Sequence, residues 1–492
     1  MNTRLRSLLA VLTFAFGGIA RAAPPALRPS NVLTLDDAIR LALVNNQRVK
    51  VSAFSPAIAR ARVLAEYGRF DPALTFRRST ADSATPGAVT PLVSQLTKTD
   101  DYSLALEGTT PWGLTYSLDG TAENLRGTFN RFSDSYLTFG GLSITQPLLR
   151  GFGFGANLAS LRIAKANRGI SDWQHRQTVI DTVTGVIHAY NNLVQARDNV
   201  RIAVLSRDLA AQLLSDNEKR NRVGAISDAD VTQARARVAN REESILFAEQ
   251  AARDVENQLR QLIGETTFPL RGAPLEIEPL APAAGIAVQA GDDLKRAFDR
   301  RPDYQAARLG LSIQRASSSL AQNQLLPRVD FVGSYGYNGL DQDFAVSRRQ
   351  VRQEDYRAYT AGLVVRVPLT FAEGRGRARA AKLELRQSEA DLTRIEQDIA
   401  ISIAAAAGQI ETTKQRVAAT RHAFDLAQQA LDAEQKRFRA GTSSTFLVLQ
   451  LQEQLADVES RYYRALADQR RAIASYDREI GTTLETHHLH LE

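Results

Sequence analysis

Few residues of this chain have the types and spacing for chemistry. Gly151-Phe152-Gly153-Phe154-Gly155 has the glycine density of a turn that cradles phosphate on backbone N–H groups. Its spacing is GxGxG, whereas a dinucleotide fingerprint needs GxGxxG opening a βαβ unit. A strand-like run precedes it and a very long helical run follows, so a strand-to-helix junction is expected there. His487, His488 and His490 could gather on a metal, but a solvated tail is the expected reading. His175, His188 and His422 stand alone in helical stretches. There is no cysteine, which excludes a disulfide scaffold, a zinc–thiolate site, a thiol enzyme and a lipid on an N-terminal Cys. No nucleophile–base set or carboxylate pair has supporting context. No catalytic residue, metal or cofactor is expected, and the chain is not expected to be an enzyme.

The strongest signal is a stretch written twice. Lys219 to Gly264 aligns without a gap on Lys436 to Gly481, 217 positions on. Lys219, Arg220, Arg222, Gly224, Ser227, Val231, Gln233, Ala239, Glu242, Ala248, Arg253, Ile263 and Gly264 meet the same residue type in the second copy. In each copy a basic helical end runs into Gly224 or Gly441, and an Ala/Gln/Arg-rich helix follows. Glycine at the point where a chain leaves α geometry reads as the tip of a helical hairpin, and an internal repeat governs the reading of a whole fold.

Bulk properties narrow the class. The chain has 492 residues, 44% of them hydrophobic, with two Trp and one Met, which suits two or three domains. Arg4 and Arg6 precede an apolar run from Leu8 to Ile19 and then Ala20-Arg21-Ala22. That is the pattern of a secretory signal peptide over residues 1–22, cut after Ala22 or Ala23; an uncleaved anchor helix is the alternative. Export into a bacterial envelope follows. The net charge of +7 is spread along helices among Glu and Asp, so a solvated surface is expected and no nucleic acid.

In chain order, residues 35–67 read as a helix with Thr34 as N-cap and Pro56 as a possible kink. From Ala73 to Leu149 the period is two: Tyr102, Leu104 and Leu106 alternate with Ser103, Ala105 and Glu107, and Leu114, Tyr116 and Leu118 with Thr115, Ser117 and Asp119. Residues 79–97 read as a loop. Helices are expected over 156–222 and 228–263, then a Pro/Gly/Ala-rich connector. The first part also recurs: Ile39, Ala42, Pro72 and Phe76 meet Leu294, Ala297, Pro327 and Phe331 at a shift of 255. Strands at 329–337 and 359–367 end at Pro368, which meets Pro147 at a shift of 221, and a helix covers 374–439. The expected division is a signal peptide (1–22), a first repeat (23–264), a connector (265–291), a second repeat (292–481) and a tail (482–492). The shrinking shift means that the first repeat has the longer strand region.

No mature segment is apolar for the ~20 residues a helical span needs. The alternating strands have the length for a tilted bilayer crossing, and a strand can cross lipid only within a closed barrel. Two strong strand pairs per chain cannot close one, so several copies must contribute. Tyr102, Tyr116, Tyr136, Tyr335, Tyr337 and Tyr359 fit an interfacial girdle. A soluble β-sandwich is the alternative reading of the strands. Alanines at 378, 380, 381, 390, 400 and 404–407 permit close helix packing and suit a hollow helical tube.

These features together resemble the TolC-like outer membrane efflux protein family over the mature chain. The residues that carry the resemblance are ITQPLLRGFG at 144–153, VRVPLTFAEGRG at 365–376, and the tips RVGAISDADV and RFRAGTSSTF, in that duplicated order. The resemblance implies an α+β membrane protein: a homotrimer with a β-barrel of four strands per chain, twelve in all, continued by a long periplasmic α-helical barrel with a belt at the connector and tail. It implies an outer-membrane exit duct of a tripartite efflux system, docked on a periplasmic adaptor (membrane fusion) protein, served indirectly by an inner-membrane transporter and surrounded by outer-membrane lipid. A type I protein-secretion duct and a non-channel periplasmic coiled-coil scaffold or adhesin are the alternatives. It implies adaptor-docking tips at Arg222, Val223, Gly224, Ala225, Arg439, Ala440, Gly441 and Thr442. Family members narrow the entrance with acidic residues beyond the tips. Here Asp228 and Asp230 are the candidates in the first copy, whereas the second copy has Leu447 and Gln450, a departure that replaces acid by an apolar residue and an amide.

Overall fold

The computed structural model describes residues 32–86, 95–264, 274–279, 282–283 and 288–489. The expected signal peptide, most of the connector and His490 lie outside them. The chain opens with β1 (Val32–Leu33) and α1 (Leu35–Asn45), capped by Thr34, whose hydroxyl accepts from the Asp37 N–H at 3.2 Å. The single helix expected over 35–67 is two helices. Asn46 leaves α geometry at ψ 122°, and its side chain accepts from the Arg48 N–H at 2.8 Å to start α2 (Gln47–Tyr67). An Asn in the sequence interior of a helical run competes with the helix by capping a new one. The break is therefore at Asn46, and α2 runs on through Pro56.

The sheet follows: β2 (Ala73–Thr85), β3 (Gln95–Thr109), β4 (Thr115–Gly127) and β5 (Tyr136–Pro147). The turn α3 (Gly153–Asn157) leads into α4 (Ala159–Arg222), 64 residues and ~96 Å long at 1.5 Å per residue. Then come α5 (Asp228–Leu262), β6 (Glu276–Ile277), α6 (Ala290–Arg300), α7 (Pro302–Gln324), β7 (Arg328–Asp341), α8 (Phe344–Gln353), β8 (Tyr356–Arg366), α9 (Ala372–Arg439), α10 (Thr445–Ile480) and α11 (Thr483–Thr486).

Six strands form one antiparallel sheet in the order β2-β3-β4-β5-β7-β8, while β1 and β6 pair in parallel elsewhere. This corrects the expected four strands per chain and the two ends of the expected loop over 79–97, whose centre at 87–94 lies outside the described residues. β2 runs to Thr85 and β3 starts at Gln95, in register from Ala73↔Glu107 to Thr85↔Gln95. A tight turn at Thr110–Gly113, closed by the Gly113 N–H donating to the Thr110 carbonyl at 2.9 Å, reverses β3 into β4. The register places Leu74, Leu106, Leu118, Leu142, Tyr335 and Tyr359 in one row across all six strands. Because side chains alternate, the same face carries Phe76, Leu104, Tyr116, Ile144, Phe331 and Leu363. The opposite face carries Thr75, Arg77, Ser103, Glu107, Ser117, Asp119, Ser143, Ser334 and Thr360. All six tyrosines expected in the girdle share the apolar face. The short helix α8 crosses its far end: Ser347 is buried and bonds to the Thr138 hydroxyl at 2.7 Å.

Next to the sheet the helices adjoin in the order α2-α4-α7-α9; beyond it the order is α5-α4-α10-α9. Each level therefore has four helices side by side. One core joins α1 to the middle of α4 and the end of α5, through Ile39, Ala42, Val183, Leu193 and Leu259. A second joins α6 to α9 and α10 through Ala297, Ile399, Ile403 and Tyr476. A third lies near the tips, where Leu213 meets Leu431, Phe438, Val448 and Leu455.

The two long hairpins are pinned in the same way. The Asn46 amide donates to the Leu262 carbonyl at 2.8 Å, and the Arg301 guanidinium donates to the Glu479 carbonyl at 3.2 Å. Residue 46 matches 301 at the shift of 255, and 262 matches 479 at the shift of 217. Gly264 (φ +71°) packs on Asn45 and Gly481 (φ +77°) on Arg300, related by the same two shifts. Both glycines hold the left-handed conformation that ends a helix.

Candidate functional site

Two regions gather the residues singled out above: the hairpin tips and the sheet with its junction to the helices. At the first tip α4 ends in Lys219, Arg220 and Arg222, basic residues that suit the negative end of the helix dipole. The Gly224 N–H donates to the Asn221 carbonyl at 2.8 Å and the Ala225 N–H to the Arg220 carbonyl at 2.9 Å. Gly224 sits at φ +75° and Gly441 at φ +78°. At the second tip the Gly441 N–H donates to the Phe438 carbonyl at 3.1 Å and the Thr442 N–H to the Arg437 carbonyl at 3.0 Å. A Cβ at either glycine would meet nothing within 4 Å, so glycine is there for its backbone and the outer surface is open. Arg222, Val223, Gly224, Ala225, Arg439, Ala440, Gly441 and Thr442 are all exposed.

The tips are brought together by residues that sequence reasoning did not single out. The Arg220 guanidinium covers the Phe438 ring and donates to its carbonyl. The Thr445 hydroxyl donates to the Asn217 side-chain Oδ1 at 3.3 Å in a buried site. Arg220 was visible as a repeat identity with Arg437, but the two do different things, since Arg437 pairs with Glu434 on its own helix at 3.4 Å.

Of the four entrance candidates, Asp228 and Asp230 sit together in the first turn of α5. Asp230 accepts from the Ser227 N–H at 3.2 Å and the Ser227 hydroxyl accepts from the Asp230 N–H at 3.3 Å, a reciprocal capping box. Asp228 accepts from the Asn221 amide at 2.9 Å. On α10 the equivalent of Asp230 is Leu447. Ser444 caps there alone, accepting from the Leu447 N–H at 3.4 Å. Leu447 and Gln450 are exposed, with Phe446 beside them, so an apolar step stands where the first tip has acid.

The glycine junction at 151–155 spends its backbone groups internally. The Gly153 N–H donates to the Trp112 carbonyl at 2.9 Å, and the Asn157 amide donates to the carbonyls of Gly151 at 2.7 Å and Gly153 at 2.9 Å. Trp112 meets Phe154 edge-on, ring centres 6.4 Å apart. The junction thus fastens the β3–β4 turn to the start of α4.

The histidines are separate. His175 shares a hydrogen bond with Ser52 at 2.8 Å, and His188 one with Ser475 at 3.3 Å. His487 lies 3.8 Å from the Asp36 carboxylate. Burial pushes His188 below the usual imidazole range, aided by the charges of Arg471 and Arg478. Among the described residues no helix is long and apolar enough to cross a membrane, and no three His, Cys, Asp or Glu residues gather.

Comparison with known proteins agrees with this architecture. Residues 38–265 and 294–481 match the family Outer membrane efflux protein. The pyoverdine export outer membrane protein OpmQ of Pseudomonas putida is 26% identical over 321 residues, 62% of this chain and 63% of that protein. The outer membrane protein TolC of Vibrio cholerae is 23% identical over 354 residues, covering 72% of this chain and 78% of TolC. The alignment thus spans a little under two thirds of the Pseudomonas relative. Among solved structures, the outer-membrane channel OprN superposes with a TM-score of 0.67 over 91% of this chain and 89% of OprN at 19% identity. VceC of Vibrio cholerae superposes with a TM-score of 0.66 over 91% of this chain and 96% of VceC at 16% identity. With the two family matches falling on the two halves that share a pinned hairpin, this chain belongs to the outer membrane efflux protein family.

Proposed function

We propose that this chain is one protomer of a homotrimeric exit duct in the bacterial outer membrane. Substrates delivered by an inner-membrane transporter, through a periplasmic adaptor seated on the hairpin tips, leave passively through it. The observation that carries this reading is the division of the sheet. One face carries a row of Leu, Ile, Phe and Tyr across all six strands, and the other carries most of the Ser, Thr, Arg, Asp and Glu side chains of the belt with Phe139, Val332 and Val364 among them, directly above helices of 64 and 68 residues. Lipid suits the first face and a water-filled bore the second. The open glycine tips, Gly224 and Gly441, support docking of a partner backbone.

The test is reconstitution of purified protein in planar bilayers, with native mass giving the copy number. Stepwise ion conductance from a species of three protomers is expected. A trimer silent both as it stands and with the Arg220–Phe438 contact removed would overturn the duct.

A further inference from the structure

We propose that the β3–β4 hairpin is a permanent part of the membrane wall, so that three chains of six strands close an eighteen-stranded barrel through β8 of one chain and β2 of the next. This rests on the trimeric duct proposed above and changes its bore.

The repeat identifies the hairpin as the added piece. Phe76 on β2 meets Phe331 on β7 at the shift of 255, and Pro147 ending β5 meets Pro368 beyond β8 at 221. β2 and β5 therefore correspond to β7 and β8, and the difference of 34 residues falls between them. The hairpin is not a flap. β3 is in register with β2 over its full length, and β4 with β5 from Thr115↔Thr145 to Asn124↔Tyr136. Its periplasmic turn is held by the Gly153–Trp112 hydrogen bond and the Trp112–Phe154 contact. Gly113 (φ +100°) lies so close to the Gly151 carbonyl that a Cβ would come within 2.5 Å of it. Its apolar row, Leu106 and Leu118, continues that of Leu74 and Leu142.

The two edges then need partners. β2 and β8 are exposed almost throughout, 13 and 11 residues long. An unpaired edge in hydrocarbon costs several kcal/mol per backbone group. β2 runs away from the helices and β8 returns to them, so a second copy can add its β2 antiparallel to β8. The circumference also fits. At ~4.8 Å between strands and a tilt of ~40°, eighteen strands make ~110 Å of wall and twelve make ~75 Å. Twelve helices, four per chain, at ~9.5 Å spacing make ~115 Å. Eighteen strands therefore continue the helical tube without narrowing it, with a backbone diameter of ~36 Å in place of ~24 Å.

The chain has no cysteine, so introduced pairs report alone. One cysteine on the polar face of β8 (Ala358, Thr360 or Gly362) is combined with one on β2 (Thr75, Arg77 or Ser79), and, in a second series, with one on β4 (Ser117, Asp119 or Thr121). Oxidation in the outer membrane is expected to give covalent dimers and trimers from at least one β8–β2 combination and from none of the β8–β4 set. A third pair within one chain, Thr75→Cys on β2 with Ser143→Cys on β5, reads the hairpin itself: two strands separate these positions here, so no intrachain bond is expected. Ready β2–β5 bonding, trimers linked through β8–β4, or no seam in either series would overturn the eighteen-stranded wall. Native mass reads the copy number separately. A copy number other than three would defeat the trimer without touching the β8–β2 seam.

Discussion

The guanidinium carbon of Arg220 lies 4.1 Å from the centre of the Phe438 ring, and its Nη2 donates to the Phe438 carbonyl at 2.7 Å. One residue of the first tip thereby grips the last turn of the helix leading to the second. Arg220→Ala should cost about 1 kcal/mol of local stability. Faster amide hydrogen exchange confined to residues 436–446 and 217–226 is the expected readout. Unchanged exchange there would mean that the tips are independent.

The tip glycines separate conformation from docking. Gly224→Ala meets open space and costs only the left-handed strain, about 1–2 kcal/mol. It should retain export. Gly224→Glu and Gly441→Glu add a charged side chain to the proposed docking surface and should abolish export with trimers intact. Export unchanged in both Glu variants would sink the docking assignment.

Gly264 has a similar φ but no room. A Cβ there would stand 2.6 Å from the Asn45 backbone. Gly264→Ala should lower the melting temperature clearly more than Gly224→Ala, because strain and clash add. Equal shifts from the two variants would show that the Gly264–Asn45 contact yields as freely as the tip.

Asp230 has a structural task, and the entrance role expected of it can be divided from that task by one variant. Asp230→Asn weakens the capping box by roughly 0.5–1 kcal/mol. A bore-facing Asp230 ring would also bind divalent cations, so block of conductance by such cations should weaken in Asp230→Asn and persist in Leu447→Ala. Equal block in both would leave Asp230 as a cap alone.

His188 makes stability depend on pH with a definite sign. Its folded value is lowered by burial from 6.5, so below pH 6.5 the unfolded chain takes up a proton that the folded chain refuses. Above about pH 7 both forms are neutral and nothing is lost; stability then falls as pH drops from 6.5 toward the lowered value. The melting temperature of the natural chain should fall more steeply between pH 7 and pH 5 than that of His188→Gln. Parallel curves would show that the imidazole titrates normally in the fold.

Much of this was legible because the physics is periodic. The 217-residue shift marked both tips, and the alternation at 102–106 marked the apolar face of the sheet. The strand from Ser79 to Thr85 escaped because Ser79, Thr80, Asp82 and Ser83 are polar on both faces. Beyond the apolar belt both faces of β2 are polar, so no alternation is written. The count of four strands failed with it. The break at Asn46 is a local capping choice that the surrounding helical pattern hides. The Arg220–Phe438 contact joins residues 218 apart, and neither residue type alone names its partner.

The matched pins at Asn46–Leu262 and Arg301–Glu479 give each tip a fulcrum. From either pin the second arm of its hairpin, 35 or 36 residues in α5 or α10, reaches ~52 Å to the tip. A swing of about 10° at the pin moves that tip by ~9 Å. Each chain carries two such levers hung from equivalent pivots, with Asp230 at the end of one and Leu447 at the end of the other. The Asn46 and Arg301 pins, far from the tips, are therefore where leverage on the tips is set.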